Sequence, residues 1–202
     1  MKHEVIKTRM GEVAIPKPET YKDCVELIRS DYYRYHGKCD SIIKMLLYGL
    51  KNPPFMLTFW LRLAQIHGLL YWPAKIIHRH YSQKFGLQIF PSMKIGYGLW
   101  LGHSISVVIN PATVIGNNVN IHQLTQIGTS TPKAAIIGNN VCLNPMISLV
   151  NDVHIGNNAT IGTGAVVTHD VPLNATVVGV PARVIHSNQP GRYIGNRWPI
   201  PS

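Results

Sequence analysis

Aliphatic side chains return every six residues between positions 95 and 167, and the residue after each is often Gly or Asn. These aliphatic positions are Ile95, Leu101, Ile109, Ile115, Ile121, Ile127, Ile137, Leu143, Leu149, Ile155, Ile161 and Val167. A period of six fits neither a helix nor the alternation of a strand. It predicts a parallel β-helix, in which three hexads make one triangular coil and coils stack about 4.8 Å apart. A β-sandwich with regular turns is the alternative, and the constant phase of the repeat disfavours it.

The repeat is broken twice, by a two-residue slip at Val107–Val108 and by an interruption at 129–136. Counting through both breaks places Leu101, Ile121, Leu143 and Ile161 on one face of the prism. Two neighbouring rows should then run along one corner of that face. The first row is His103, Gln123, Pro145 and Thr163, and the second is Gly102, His122, Asn144 and Gly162. Another corner should fall at the Asn pairs 117–118, 139–140 and 157–158, because Asn tolerates tight or left-handed turns.

The segment before the repeat carries a different, helical pattern. We predict helices over 20–36, with Thr20 as N-cap, over 41–50, and from Phe55 to Tyr71, with a kink or break at Pro73. The third helix has Arg62 at its centre, which disfavours a membrane span. Burial against its neighbours or the coil is favoured, and contact with a membrane surface stays open.

The expected fold class is therefore mainly β, a β-helix preceded by an α-helical segment. Three parts follow: a helical segment at 1–84, a β-helix at 85–185 and a tail at 186–202.

Composition narrows the partners and the location. The formal net charge is +10 at pH 7, and the basic excess lies in residues 1–94 and in the tail. No basic run with interleaved aromatics marks a nucleic-acid platform, so we expect no nucleic-acid partner. A solvated basic face, or attraction to anionic lipid or acidic glycan, remains open. The start of the chain is too polar for a secretory signal, and the three cysteines read as free thiols, which favours the cytoplasm.

Histidines that interrupt the repeat are the candidates for chemistry. His103 heads a groove walled by small residues, a position that suits a general base beside an extended ligand. His122, next to Gln123, could equally be a structural hydrogen-bonding residue. The histidines offer no set of three converging ligands, so no metal site is expected. No Ser or Cys lies in a recognisable nucleophile elbow.

Three stretches carry a family resemblance: SDYYRY at 30–35, HSISVVINPATVIGNNVNIHQLTQIG at 103–128 and GTGAVVTHDVPLNATVVGVPARVI at 162–185. The chain resembles the hexapeptide-repeat acyltransferases, in the serine O-acetyltransferase branch, and looks most similar to the O-acetyltransferases of surface polysaccharides. The resemblance implies a left-handed parallel β-helix, acetyl-CoA as acyl donor, and a homotrimer with active sites between subunits. Pairing of two trimers is left open. The interruption at 129–136 is similar in place to a loop that the family extends toward an adjacent subunit.

The resemblance also implies roles for particular residues. His103 matches the histidine that deprotonates the acceptor hydroxyl, which implies direct acyl transfer without a covalent acyl-enzyme. Gln88, His122 and Gln123 are the candidates for binding or orienting the acceptor and the catalytic imidazole. The positions that match coenzyme A contacts are Gly128, Thr129, Pro145, Thr163, Pro181, Ala182 and Arg183.

Three departures from the serine acetyltransferase pattern bear on the acceptor. Gly102 stands where the family has an Asp that contacts the amino acid, and Gln88 where it has an Asp paired with the catalytic His. The loop at 129–136 has Lys133 as its only charge, where the family has an Arg-His-Pro. We therefore expect a carbohydrate acceptor: a sugar hydroxyl of a surface polysaccharide or its precursor.

Serine is the alternative acceptor, and a noncatalytic scaffold is the second alternative. A cytoplasmic enzyme is expected, and peripheral contact with the inner membrane surface stays open.

Overall fold

The N-terminal 85 residues form a β-hairpin and four helices in a computed structural model that describes residues 1–103 and 105–200. The elements are β1 (Lys2–Thr8), β2 (Gly11–Lys17), α1 (Tyr21–His36), α2 (Ile42–Lys51), α3 (Pro53–Leu63) and α4 (Tyr71–Phe85). Thr20 caps α1 as predicted: its hydroxyl accepts from the Asp23 backbone N–H, and the Asp23 carboxylate accepts from the Thr20 N–H. This reciprocal pair is a capping box with Asp in place of Glu.

The helix predicted from Phe55 to Tyr71 is wrong in both bounds. It begins at Pro53, since Asn52 caps the Phe55 N–H, and it ends at Leu63. A fourth helix follows, and Pro73 lies in its first turn rather than at a break. Proline is tolerated there because the first backbone N–H groups of a helix have no intrahelical acceptor. The hairpin β1–β2 was not predicted from the sequence.

Residues 87–186 form a parallel β-helix with three faces, which confirms the expected fold class. Face one holds β3 (Leu87–Gln88), β6 (Val107–Ile109), β9 (Gln126–Gly128), β12 (Ser148–Val150) and β15 (Val166–Val167). Face two holds β4 (Lys94–Ile95), β7 (Val114–Ile115), β10 (Ile136–Ile137) and β13 (His154–Ile155). Face three holds β5 (Trp100–Gly102), β8 (Asn120–His122), β11 (Cys142–Leu143), β14 (Thr160–Ile161), β16 (Thr176–Val178) and β17 (Arg183–His186). Pairing is parallel within all three faces except that β17 runs antiparallel to β16.

The predicted stacking of the repeat is confirmed on face three. Leu101 pairs with Ile121, Ile121 with Leu143, and Leu143 with Ile161. These side chains are at most 1% exposed, and they belong to one continuous core that also contains Leu57 and Leu61 of α3. The interior of the prism is thus filled by branched aliphatic side chains, layer upon layer.

The slip in the repeat lies earlier than Val107–Val108. Gly102 pairs with His122, and Val108 pairs with Gln126. The chain therefore advances six positions from Gly102 to Val108, but only four from His122 to Gln126 in the next coil. The two extra residues therefore widen the corner between Gly102 and Val108, and this corner carries His103.

The corner between faces two and three is built on asparagines, as the sequence predicted. Asn118, Asn140 and Asn158 have φ between 54° and 61°, the left-handed region that Asn tolerates better than most residues. The side chains of Asn117, Asn139 and Asn157 accept hydrogen bonds from backbone N–H groups in the preceding coil. These bonds are Asn117 Oδ1 with Tyr97 N, Asn139 Oδ1 with Asn117 N, and Asn157 Oδ1 with Asn139 N. The ladder holds adjacent coils in register.

A buried ion pair joins the helices to the first coil. Arg62 of α3 contacts both carboxylate oxygens of Asp31 of α1, at 2.9 and 3.0 Å, and both side chains are 0% exposed. Arg62 also donates to the carbonyls of Ile95 and Gly96, and Asp31 accepts from the Leu99 N–H. Arg62, the residue that disfavours a membrane span, therefore holds α1 and α3 against the first coil.

The hairpin is clamped to the opposite end of face two by Arg9. Its guanidinium binds Asp170 and Asp152, and its backbone N–H donates to Nδ1 of His154 at 2.8 Å. Hydrogen bonds from Arg9 hold the pKa of each carboxyl group below its usual range. No described helix is both long enough and apolar enough to cross a membrane.

Replacing Arg62 by Leu should lower the free energy of unfolding by about 3–5 kcal/mol, because Asp31 is left charged and unpaired inside the protein. Urea unfolding monitored by circular dichroism measures the loss. Lys2→Ala, which removes the exposed pair with Glu19, is the matched control and should cost under about 1 kcal/mol. Equal effects of the two variants would contradict the anchoring role of Arg62.

Candidate active site

His103 lies at the widened corner, where faces three and one meet. Its φ is 46°, its side chain is exposed, and the nearby Ser106 also has a positive φ of 55°. Positive φ recurs at this corner in later coils, at Leu124, Met146 and Gly164, so it belongs to the turn that joins faces three and one. A cavity of about 490 Å³ opens beside it. Its walls come from the helices and from the first coil: Tyr35, Lys51, Asn52, Pro53, Pro54, Phe85, Trp100, Leu101, Gly102, His103 and Ile105.

Trp100 explains why residue 102 is a glycine. A Cβ atom at Gly102 would lie 2.3 and 2.4 Å from two atoms of the Trp100 ring, and 3.0 Å from Nδ1 of His122. Any side chain at position 102 would displace the indole. The ring of Trp100 is T-shaped to His122, with centroids 5.2 Å apart, and it also contacts Tyr35. The indole thus occupies the place from which a residue-102 side chain would reach the cavity.

His122 faces a second cavity of about 480 Å³ on the other side of Trp100. Arg34, Asn120 and Tyr193 also line it. Burial, followed by the proximity of His103, lowers the pKa of His122, so its imidazole is neutral at pH 7. A neutral imidazole next to His103 can accept or donate a hydrogen bond without adding charge to the site.

Three members of the predicted corner row are stacked. The Met146 N–H donates to the Gln123 carbonyl at 3.1 Å, and the Gly164 N–H donates to the Pro145 carbonyl at 3.0 Å, so Gln123, Pro145 and Thr163 follow one another along the corner. One coil earlier the Leu124 N–H donates to the Ile105 carbonyl, so Ile105 rather than His103 stacks on Gln123. Oε1 of Gln123 is buried and has no hydrogen-bond partner among the residues that the structure describes. It is a free acceptor in this row.

The structure does not bring Gln88 and His103 into one cavity. Gln88 is exposed on face one, pairs with Val108 and lines a different cavity, beside α4. Phe85 lines the cavity at His103, and Gly86 lines the cavity at Gln88. A role for Gln88 in orienting His103 stays a prediction.

Gly128 and Thr129 lie at the far edge of face one, away from the corner row. They line a cavity of about 460 Å³ with Val108, Ser130 and Asn151. The interruption at 129–136 forms a small closed loop there, in which the Thr129 hydroxyl donates to the Lys133 carbonyl at 2.7 Å. The cavities at His103 and at Gly128 are thus separated by the width of one face.

The segment Pro181–Arg183 closes the last coil. The Ala182 N–H donates to the Val166 carbonyl at 2.8 Å, and Pro181 and Arg183 are exposed. Arg183 begins β17, which turns back along β16. This segment lies at the end of the prism opposite the helices.

Sequence reasoning missed the cavity residues that precede the coil. No role at the site was predicted for Tyr35, yet its hydroxyl donates to the Leu101 carbonyl at 3.0 Å and fixes the cavity wall. Lys51 and Phe85 were missed because the helix ends that carry them meet the first coil only in the folded chain. Trp100 could have been noticed in the sequence, because this large aromatic residue lies two positions before Gly102 on a face otherwise lined by small residues.

No family model matches the chain. A search of curated proteins found the serine acetyltransferase of Staphylococcus aureus, 32% identical over 154 residues, which are 67% of this chain and 70% of that protein. The serine acetyltransferase of Synechococcus elongatus is 34% identical over 105 residues, 50% of this chain and 43% of that protein. The chain thus spans under half the length of the latter relative.

The solved structures that resemble this chain are also serine acetyltransferases. The serine acetyltransferase of Neisseria gonorrhoeae in complex with serine has a TM-score of 0.62 and 30% identity, covering 82% of this chain and 69% of that one. The serine acetyltransferase of Brucella abortus in complex with coenzyme A has a TM-score of 0.63 and 26% identity, covering 82% and 67%.

The expectation of a carbohydrate acceptor is wrong, because these relatives and structures are serine acetyltransferases and none supports closeness to polysaccharide O-acetyltransferases. The physical reason lies in Gly102: the packing of Trp100 dictates a glycine there, so the absence of a carboxylate at position 102 does not report on the acceptor. With its β-helix and its match to most of a relative's length, the chain belongs to the serine acetyltransferase family.

Proposed function

We propose that this protein transfers an acetyl group from acetyl-CoA to the hydroxyl of L-serine, with His103 as general base. The observation that carries the proposal is the cavity at His103, which joins a histidine, one lysine and a wall of aromatic side chains in about 490 Å³. The relatives named for serine acetylation, and the solved structures bound to serine and to coenzyme A, support the same acceptor and donor.

The cavity can recognise an amino acid without a carboxylate of its own. Lys51 is the only formally cationic side chain among its lining residues, and it suits the carboxylate of serine. The faces of Trp100 and Tyr35 suit the ammonium group, because a cation over an aromatic ring is stabilised by about 0.5–2 kcal/mol. In this arrangement the aromatic faces replace the Asp that the family has at position 102.

His103 carries out the proton transfer. Its imidazole accepts the proton of the serine hydroxyl as that oxygen attacks the acyl carbonyl, and returns it to the departing thiolate. When bound, acetyl-CoA supplies the activated acyl group. Neutral His122, on the other side of Trp100, adds no positive charge that would disfavour protonation of His103. Backbone N–H groups of the corner stabilise the developing oxyanion.

A second copy of the chain is needed to hold coenzyme A at every predicted position. Gly128 and Thr129 lie at one edge of face one, and Pro145 and Thr163 lie at the other. A Cβ atom at Gly128 or Gly164 would meet no atom within 4 Å, so both edges offer open backbone to an extended ligand.

The corner between faces three and one also exposes a line of apolar side chains. They are Ile105, Leu124 and Met146, and each is 45% exposed or more. Such a line suits contact with another copy. We infer a homotrimer with sites between subunits. Pairing of two trimers stays open, and the cytoplasmic location stays a prediction.

Replacing His103 by Ala should lower kcat with L-serine by about 10²–10⁴-fold, since the hydroxyl loses its base. Thiol release from acetyl-CoA measures the rate, and circular dichroism checks folding. His169→Ala is the matched control, because His169 is exposed at the far end of the prism. Full activity of the His103 variant would contradict the mechanism. The His169 variant should keep its activity.

Replacing Lys51 by Gln should raise KM for L-serine about tenfold or more and leave kcat nearly unchanged, because a charged hydrogen bond to the substrate carboxylate is lost. L-serinamide, which has no carboxylate, should show no such increase. Lys44→Gln on the same helix is the control, since Lys44 pairs with Asp40 and is absent from the cavity. An equal rise for serinamide would refute the assignment of Lys51.

Replacing Gly102 by Ala should lower the free energy of unfolding by about 1–3 kcal/mol, because the new methyl group overlaps the Trp100 ring. The same change made with Trp100→Ala should cost clearly less, and a double-mutant cycle measures the coupling. Gly128→Ala, where a Cβ meets open space, should leave stability nearly unchanged. Additive effects at 100 and 102 would show that the indole does not dictate the glycine.

A further inference from the structure

A long cavity runs between α4 and the start of the β-helix. Its volume is about 590 Å³, larger than that of the cavity at His103. One side is the face of α4 that carries Lys75, His78, Arg79, Ser82 and Gln83, positions that share one side of a helix. The other side is the stretch Gly86, Leu87, Gln88, Phe90 and Pro91. The floor is apolar and the helical wall is polar and basic.

The positive charge of this wall is not neutralised. Lys75 and Arg79 form no ion pair in the described part of the chain, and the sequence has no Asp or Glu from residue 41 to residue 151. Nζ of Lys75 rests 5.2 Å above the Trp72 ring and 3.3 Å from the Tyr71 hydroxyl. Lys75 and Arg79, one helical turn apart, therefore line the cavity, and neither is paired with a carboxylate in the described part of the chain.

Two buried polar groups also point to a missing ligand. Nε2 of His78 and the hydroxyl of Ser82 are closed to solvent, and neither has a hydrogen-bond partner within residues 1–103 and 105–200. His78 is 5% exposed. Burial lowers its pKa to about 4, so the ring is neutral and Nε2 is an unused acceptor. Buried groups of this kind are normally satisfied, and leaving them unpaired costs free energy.

We propose that this cavity binds a phosphate group, held by Arg79 and Lys75 and by the hydroxyl of Ser82 and the imidazole of His78. A phosphate group is tetrahedral and carries one or two negative charges, so its oxygens can accept from two cations and from the Ser82 hydroxyl, which approach from different directions. The amides of Gln83 and Gln88 are further donors at the rim. Nε2 of His78, which can only accept, pairs with the O–H of inorganic phosphate or of a singly protonated phosphate monoester.

The remainder of the ligand has two possible sources. The apolar floor at Leu87 and Phe90 suits the organic part of a soluble phosphate ester. Outside the cavity, next to Lys75, the exposed side chains Leu69, Trp72 and Ile76 are 90%, 65% and 65% exposed, which suits the acyl chains of an anionic phospholipid. The shared chemistry is the phosphate, and the site lies one residue away from Phe85 of the acceptor cavity.

Isothermal titration of the full chain with inorganic phosphate, at constant ionic strength, tests the proposal. We expect saturable binding that shifts the ring ¹⁵N resonances of His78 in histidine-labelled protein. Arg79→Gln and Lys75→Gln should each raise Kd about tenfold to hundredfold, since each removes a charged hydrogen bond. Lys84→Gln is the matched control, because Lys84 lies on the same helix but outside the cavity, over the Phe85 ring.

Sedimentation with vesicles distinguishes the two sources. Binding to phosphatidylglycerol but not phosphatidylcholine vesicles, lost in Arg79→Gln and in Trp72→Ser and kept in Lys84→Gln, would identify a lipid headgroup. Binding of inorganic phosphate without vesicle binding would identify a soluble ester. Absence of both, or binding that Arg79→Gln and Lys84→Gln weaken equally, would overturn the site. These exposed substitutions keep the test independent of folding and of acetyl transfer.

Discussion

Arg62 and Asp31 form an ion pair that is closed to solvent and shared by three parts of the chain: α1, α3 and the first coil. The cavity at His103 is made where these parts meet, with Tyr35 and Lys51 from the helices and Trp100 from the coil. Removing two charges from water is costly, and the cost is offset only because every polar atom of the pair is satisfied. Such a junction fixes the orientation of the helices on the prism, and thereby the shape of the cavity at His103.

The cavity at His103 shows how one aromatic ring can change the chemistry around it. The Trp100 indole fills the space above Gly102, divides two cavities and contacts His122. A carboxylate at position 102 would have to displace it. The family's ionic recognition is thus exchanged, in our proposal, for a cation over an aromatic surface, which is weaker in water but effective where solvent is excluded.

Much of the β-helix could be predicted from the sequence because its period is local. Each inward residue, such as Leu101 or Ile121, reports its own phase, and counting placed Gln123, Pro145 and Thr163 in one row. His103 falls outside that stack because two extra residues lie between Gly102 and Val108. The helical segment was harder. α1 was predictable from its cap at Thr20, whereas α4 was obscured by Pro73 and by a mixed pattern of charge and apolar residues. The interpretation of Gly102 was wrong for a related reason. The glycine is required by its contact with the Trp100 ring, which no local sequence pattern indicates.

The last strand of the prism runs antiparallel to the strands stacked beneath it. A parallel β-helix ends in a row of unpaired backbone groups on each face, and such an edge can template the addition of another molecule. Here β17 reverses along β16 on face three. At the other end, Tyr81 and Phe85 of α4 pack against the first coil. On face three the parallel stack therefore ends in a strand of opposite direction, and a helix covers the first coil, so each end differs from the repeating coils between them.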